Sequence, residues 1–161
     1  MKAKVYLETT IVSYLTAWRS PQLIMAAQQE ATKCWWDEER HNFDLFISEI
    51  VVQEAAAGDA KAAKRRLDSL DGIPELHITD TARELAQLLI VKRQLPAKAH
   101  LDALHIAVAA ANGMDYLLTW NCRHIANATL QHAIRNISEE FGCALPIICT
   151  PFELIEEKKN D

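Results

Sequence analysis

Glu8, Glu54, Asp102 and Asn121 supply oxygen donors at four separated points of a 161-residue chain, each near the end of a strand-like segment or on a helix. In open α/β sheets, ligand sites form outside the carboxyl ends of the strands, so residues spaced in this way can converge although far apart in sequence. Carboxylates and amides select hard ions such as Mg²⁺ or Mn²⁺, which keep several waters and bind phosphate oxygens well. Such a site suits phosphodiester hydrolysis: one ion can polarise the phosphoryl group and supply a nucleophilic water, and a second can stabilise the leaving oxygen.

Each residue also has a plainer role. Glu8 closes the segment Lys4–Glu8 and Asn121 follows Leu117-Leu118-Thr119, so either could cap a helix or close a turn. Asp102 is the least ordinary, because a lone carboxylate in an apolar, alanine-rich helix faces a desolvation cost and calls for a cationic partner. Glu54 follows the apolar run Ile50-Val51-Val52. His105 lies one turn beyond Asp102 and could orient it, although a packed, hydrogen-bonded histidine is the plainer reading. Cys122 and His124 hint at zinc, but no second ligand pair has structural-zinc spacing. Among the cations, Lys61, Lys64, Arg65 and Arg66 read as a solvated face. Lys92, Arg93 and Lys98 are better placed to meet a phosphate backbone, since they precede the Asp102 helix. Trp35 and Trp36 read as core or dimer-interface residues rather than base-stacking platforms.

The elements that must position these groups alternate. Lys4–Glu8 reads as a strand leading into a helix at Thr9-Thr10, and Pro21 precedes helical periodicity that runs to His41. Asp44–Ile47 is a second strand, with Ser48 as cap of a helix through Glu54. Lys61–Leu70 is a basic amphipathic helix, Leu76–Ile78 a weak third strand, and Thr79 or Asp80 opens a helix closed off by Pro96. Ala97–Asn112 is a helix capped near Gly113, Tyr116–Thr119 a buried strand, Leu130–Phe141 a helix stopped by Gly142, and Ile147–Cys149 a last strand. This alternation predicts an α/β fold with a mainly parallel sheet covered by helices on both faces.

Composition narrows the class. Half of the residues are hydrophobic and 24% charged, so a folded domain is expected rather than disorder. The length fits a single domain over residues 1–155, with 156–161 as a charged tail. No apolar run approaches the ~20 residues that span a bilayer. A cytoplasmic chain with reduced cysteines at 34, 122, 143 and 149 is expected. A net charge of -5 argues against a broad basic clamp on nucleic acid, but not against an acidic nuclease, whose carboxylates lower the charge themselves. A phosphoryl-accepting signalling domain is disfavoured, because adjacent carboxylates and a strand-end lysine are missing.

Val5-Tyr6-Leu7-Glu8-Thr9-Thr10-Ile11, Ser48-Glu49-Ile50-Val51-Val52-Gln53-Glu54, Asp102-Ala103-Leu104-His105-Ile106-Ala107 and Leu117-Leu118-Thr119-Trp120-Asn121 together resemble the successive motifs of the PIN-domain family. The likeness runs from about Lys4 to Ile148 and is greatest to the VapC-type toxins of type II toxin–antitoxin pairs. It implies a PIN-like three-layer α/β/α fold with a four- to five-stranded sheet, and Mg²⁺-dependent endoribonuclease activity, with Mn²⁺ as a possible substitute. An RNA substrate, a cognate antitoxin and a homodimer are implied as partners.

Carried over residue by residue, the resemblance makes Glu8, Glu54 and Asp102 the first three acidic positions and Asn121 the fourth. These are the catalytic and metal-holding set, with Thr9, Thr119 and Lys98 toward the substrate. Two positions depart from the family pattern, which usually has aspartate at the first and often at the last. Glu8 moves its oxygens outward by a methylene, and Asn121 removes a charge while keeping a neutral oxygen. One well-held ion is expected, with a weaker or substrate-dependent second. The competing reading is a catalytically weakened PIN-like module that binds protein or RNA.

Overall fold

Val5, Tyr6 and Leu7 are buried without the in–out alternation of a half-exposed strand, the mark of a strand covered on both faces. They belong to β1 (Ala3–Leu7) at the centre of a five-stranded, all-parallel sheet with β2 (Phe43–Ser48), β3 (Glu75–Leu76), β4 (Tyr116–Leu118) and β5 (Ile147–Cys149), in the order β3-β2-β1-β4-β5. The computed structural model describes residues 1–92 and 95–156; Arg93 and the tail beyond Glu156 lie outside the described residues.

The intervening helices are α1 (Thr9–Thr16), α2 (Leu23–Cys34), α3 (Glu49–Ala55), α4 (Ala60–Leu70), α5 (Asp80–Val91), α6 (His100–Ala111) and α7 (Ala128–Phe141). The path from β1 through β2 to β3 moves toward one edge of the sheet, and the path through β4 to β5 moves toward the other. Right-handed crossovers then require α1–α4 on one face and α5–α7 on the opposite face. The packing agrees: α1 packs with α2, α3 and α4, while α5 packs with α6 and α7. The result is the expected three-layer α/β/α architecture.

Sequence pattern accounts for most of these elements. In α5 the buried residues Ala82, Leu85, Ala86 and Leu89 recur at helical spacing, and Thr79 caps the helix by accepting a hydrogen bond from the Ala82 amide. Every residue of α6 from Ala103 to Ala110 is buried, and its alanines let the helix lie close against its neighbours. Gly142 ends α7 with φ 101°, a left-handed conformation open to glycine at little cost.

Three boundaries depart from expectation. The helix reaching toward His41 ends its α geometry at Cys34 and continues as a π turn over Trp35–Glu39 and a 3₁₀ turn over Arg40–Asn42. That wider turn accompanies burial of Trp35, which stacks on Phe43 and donates its indole N–H to the Leu154 carbonyl at 2.8 Å, as a core rather than a base-stacking residue. The third strand pairs at Glu75–Leu76 instead of Leu76–Ile78 and is a two-residue edge, short enough to discourage further pairing. The last helix of the Asp102 segment starts at His100, after a 3₁₀ turn over Ala97–Ala99. All four cysteines are free, Cys149 buried and Cys34 and Cys122 exposed. Among the described residues no helix is long and apolar enough to cross a membrane.

Leu117 is fully buried between β1 and β5. Leu117→Ala should lower unfolding stability by about 2–5 kcal/mol in urea titrations, through lost burial plus the cavity left behind.

Candidate active site

The sheet changes direction between β1 and β4, whose outgoing connections diverge to opposite faces and leave a crevice at their carboxyl ends. Glu8 and Thr119 are the first residues beyond those two strands, and the ladder extends to hold them: Glu8 N–H donates to Leu118 O, and Thr119 N–H to Cys149 O, both at 3.0 Å. The topology thus joins two of the motif segments, and Thr119 Oγ1 donates to Glu8 Oε2, 111 residues away, at 2.8 Å.

Glu8 is 4% exposed and caps α1. Its Oε2 accepts from the Thr10 amide at 3.1 Å and from the Thr10 hydroxyl as well. Thr10 Oγ1 also accepts from Trp120 N–H, and Thr119 Oγ1 from Asn121 N–H, so two threonine hydroxyls pin Glu8 to the turn that carries Asn121. The Asn121 side chain accepts from the His124 amide at 3.0 Å, and the His124 ring meets Asp102 Oδ2 at 2.9 Å. Asp102, in the first turn of α6, thus has an imidazole partner.

Glu54 sits in the last turn of α3, whose end is tied down by Arg66: Nε donates to the Ala55 carbonyl at 2.9 Å and Nη2 to the Ala57 carbonyl at 2.6 Å. Its Oε1 accepts from the Thr9 hydroxyl at 2.8 Å and from His105 Nε2 at 2.5 Å. His105 therefore serves Glu54, not the Asp102 one turn before it. Its other nitrogen meets the Tyr6 hydroxyl at 2.7 Å, and that hydroxyl meets Ser48 Oγ at 2.8 Å. Ser48 occupies the cap position of α3 as expected, but its hydroxyl makes no capping bond.

The structure thus brings Glu8, Thr119, Asn121 and Asp102 into one network through His124, and Thr9 with Glu54 into a second that is contiguous with it at the Glu8–Thr9 peptide. Thr9 and Thr119 hydroxyls are occupied within the protein, where they support carboxylates. Lys98 is exposed on the 3₁₀ turn before α6, outside both networks. Lys64 pairs with Asp68 on the surface of α4, and Arg65 lies over Trp18, so the first basic group has local partners. His105, Tyr6, Thr10 and His124 were not assigned these roles from sequence. Only the Asn121–His124 spacing carried a local signal, that of a turn.

Among the described residues, no three His, Cys, Asp or Glu side chains are already gathered closely enough to hold an ion. The donor chemistry nevertheless fits a hard divalent cation. Hydrogen bonds from the described residues fall on one oxygen of each carboxylate, Oε2 of Glu8, Oε1 of Glu54 and Oδ2 of Asp102. Among the described residues, no hydrogen bond falls on the second oxygen of any of the three carboxylates.

The PIN domain family model matches residues 5–128. The chain belongs to the PIN domain family. Solved structures that share the fold include the following two. VapC20 of Mycobacterium tuberculosis, described as a sarcin–ricin loop cleaving toxin, is 17% identical with a TM-score of 0.59, over 77% of this chain and 95% of that one. VapBC2 of Rickettsia felis, solved bound to a promoter DNA fragment, is 16% identical with a TM-score of 0.58, over 91% of this chain and 98% of that one. No curated protein matches. In this PIN domain the match takes in all four motif segments and all the side chains of both networks.

Glu54 is held below the usual carboxylate range: its partial burial would raise it, but the His105 hydrogen bond and charge and the Thr9 hydrogen bond outweigh burial. Because the folded value lies below the unfolded one, this stabilisation is complete above the ordinary glutamate pKa of about 4.3 and is lost as pH falls through the folded value. Urea unfolding of the wild type and Glu54→Gln should therefore show a stability gap at about pH 7 that narrows toward about pH 3; an unchanged gap would contradict this electrostatic account.

Proposed function

We propose that this PIN domain is a divalent-metal-dependent endoribonuclease and the toxin of a type II toxin–antitoxin pair. The observation that carries the reading is the network at the β1/β4 crevice that links Glu8, through Thr119, to the Asn121 turn and on through His124 to Asp102, with each carboxylate bonded through one oxygen only among the described residues. Glu8, Glu54, Asp102 and Asn121 would hold Mg²⁺, or Mn²⁺ in its place. The bound ion would polarise the phosphoryl group and lower the pKa of a water enough for attack. No covalent nucleophile is needed.

The protein's own groups have separable tasks. Thr10 and Thr119 fix Glu8, Thr9 and His105 fix Glu54, and His124 holds Asp102 beside Asn121. Lys98, exposed just before the Asp102 helix, supplies a cation for the phosphate backbone of RNA where the net charge of the chain is unfavourable. Membership of the family, and a fold shared with a sarcin–ricin loop cleaving toxin and with VapBC2, support the assignment to this class and an antitoxin as partner; a second copy of the chain is the further partner proposed.

A second reading has its own support. Glu8 spends one oxygen as a helix cap and Asn121 brings no charge, which together weaken the attraction for an ion. In that reading the domain binds protein or RNA without efficient cleavage.

A mixed panel of tRNA and mRNA fragments, incubated with chelator-stripped protein, should be cut only when Mg²⁺ or Mn²⁺ is restored, and Asp102→Ala should lower the rate by at least about a hundred-fold. Equal inactivity of folded wild type and Asp102→Ala would move the binding-module reading to first place.

A further inference from the structure

Tyr6 places a hydroxyl in the middle of the core, where phenylalanine would pack equally well without burying a polar group. The hydroxyl is fully used. It lies 2.8 Å from Ser48 Oγ and 2.7 Å from His105 Nδ1, and His105, itself 1% exposed, reaches Glu54 through Nε2 at 2.5 Å. Four side chains from β1, the end of β2, α6 and α3 thus form one file that runs from the core to a carboxylate at the crevice.

The chemistry of the end group gives the file a direction. An ionised carboxylate only accepts, so the proton on His105 Nε2 points at Glu54. The other ring nitrogen, Nδ1, shares a hydrogen bond with the Tyr6 hydroxyl, which shares another with Ser48. Burial raises the Tyr6 pKa well above its ordinary value, with the negative charges of Glu8 and Glu54 adding to it against the Ser48 hydrogen bond, so the phenol keeps its proton. Ser48 serves this file at the expense of capping α3.

Resting on the metal-dependent reading above, we propose that His105, locked by Tyr6 and Ser48, is a positioning residue. It fixes Oε1 of Glu54 and would thereby leave Oε2 to a bound ion. Thr9 braces the same oxygen from α1, so one oxygen of the carboxylate is gripped from two elements. Groups that orient a ligating carboxylate without touching the ion typically change metal affinity or activity by about 10–100-fold when removed. A histidine that merely filled the core would have no such effect.

The test is calorimetric titration of Mn²⁺ into the chelator-stripped full chain, for the wild type, Tyr6→Phe, His105→Gln, His105→Leu and Glu54→Gln. Urea unfolding without metal selects the variants that fold. Tyr6→Phe keeps the ring and removes only the hydroxyl, and should weaken Mn²⁺ binding by about ten-fold, with RNA cleavage recovering at saturating Mn²⁺. His105→Gln, whose amide can still donate to Glu54, should retain more affinity than His105→Leu. Folded Tyr6→Phe and His105→Gln with wild-type affinity, beside a Glu54→Gln that has lost it, would overturn the positioning role and leave the metal site standing. Wild-type Mn²⁺ binding by Glu54→Gln would remove Glu54 from the metal set, and both the proposed metal set and this inference would fall together.

Discussion

The reversal of strand order between β1 and β4 is the constraint on which the site depends. A parallel sheet whose crossovers keep one hand can send successive helices to opposite faces only where the chain changes its direction of travel along the sheet. Here that point lies beside the central strand, so the residues leaving β1 and β4 face a crevice that α1 and α6 flank from the two sides. Glu8, Thr119, Asn121 and Asp102 are brought together by this topology rather than by any local preference of their own segments. The buried, both-sides-covered character of Val5, Tyr6 and Leu7 secures β1 and therefore the crevice.

Bringing carboxylates together in a partly buried place is unfavourable unless each is compensated. The chain compensates them singly. Two threonine hydroxyls and an amide hold Glu8, a threonine and a histidine hold Glu54, and a second histidine holds Asp102. Thr9 and Thr10 open α1 and His105 lies within α6, while Thr119 and His124 lie in the segment that joins β4 to α7; the end of α3 is secured by Arg66. Among the described residues, each acidic group is therefore held through one of its two oxygens.

Much of the fold could be read from sequence, because the alternation of strand-like and helical segments determines an α/β class and the crossover rule then limits its topology. The strands leading to Glu8, Glu54 and Asn121 and the helix bearing Asp102 were evident from apolar runs, alanine content and the stops at Gly113 and Gly142. The π turn at Trp35 was not, since a buried tryptophan and a helical periodicity give the same pattern whichever way the turn is wound. Within the site, residue types disclosed the donors but not their supports. Helix spacing pairs His105 with Asp102, whereas the fold brings its ring to Glu54, on a helix of the opposite face. The partners Tyr6 and His124 are set by contacts across 99 and 22 residues, which local spacing does not encode.

The most direct test of the site is crystallographic: the full chain grown or soaked with Mn²⁺, with anomalous differences recorded to locate the ion. The account predicts an anomalous peak in the β1/β4 crevice, bonded to oxygens of Glu8, Glu54, Asp102 or Asn121. A crevice without a peak at saturating Mn²⁺, or an ion bound elsewhere on the molecule, would contradict it.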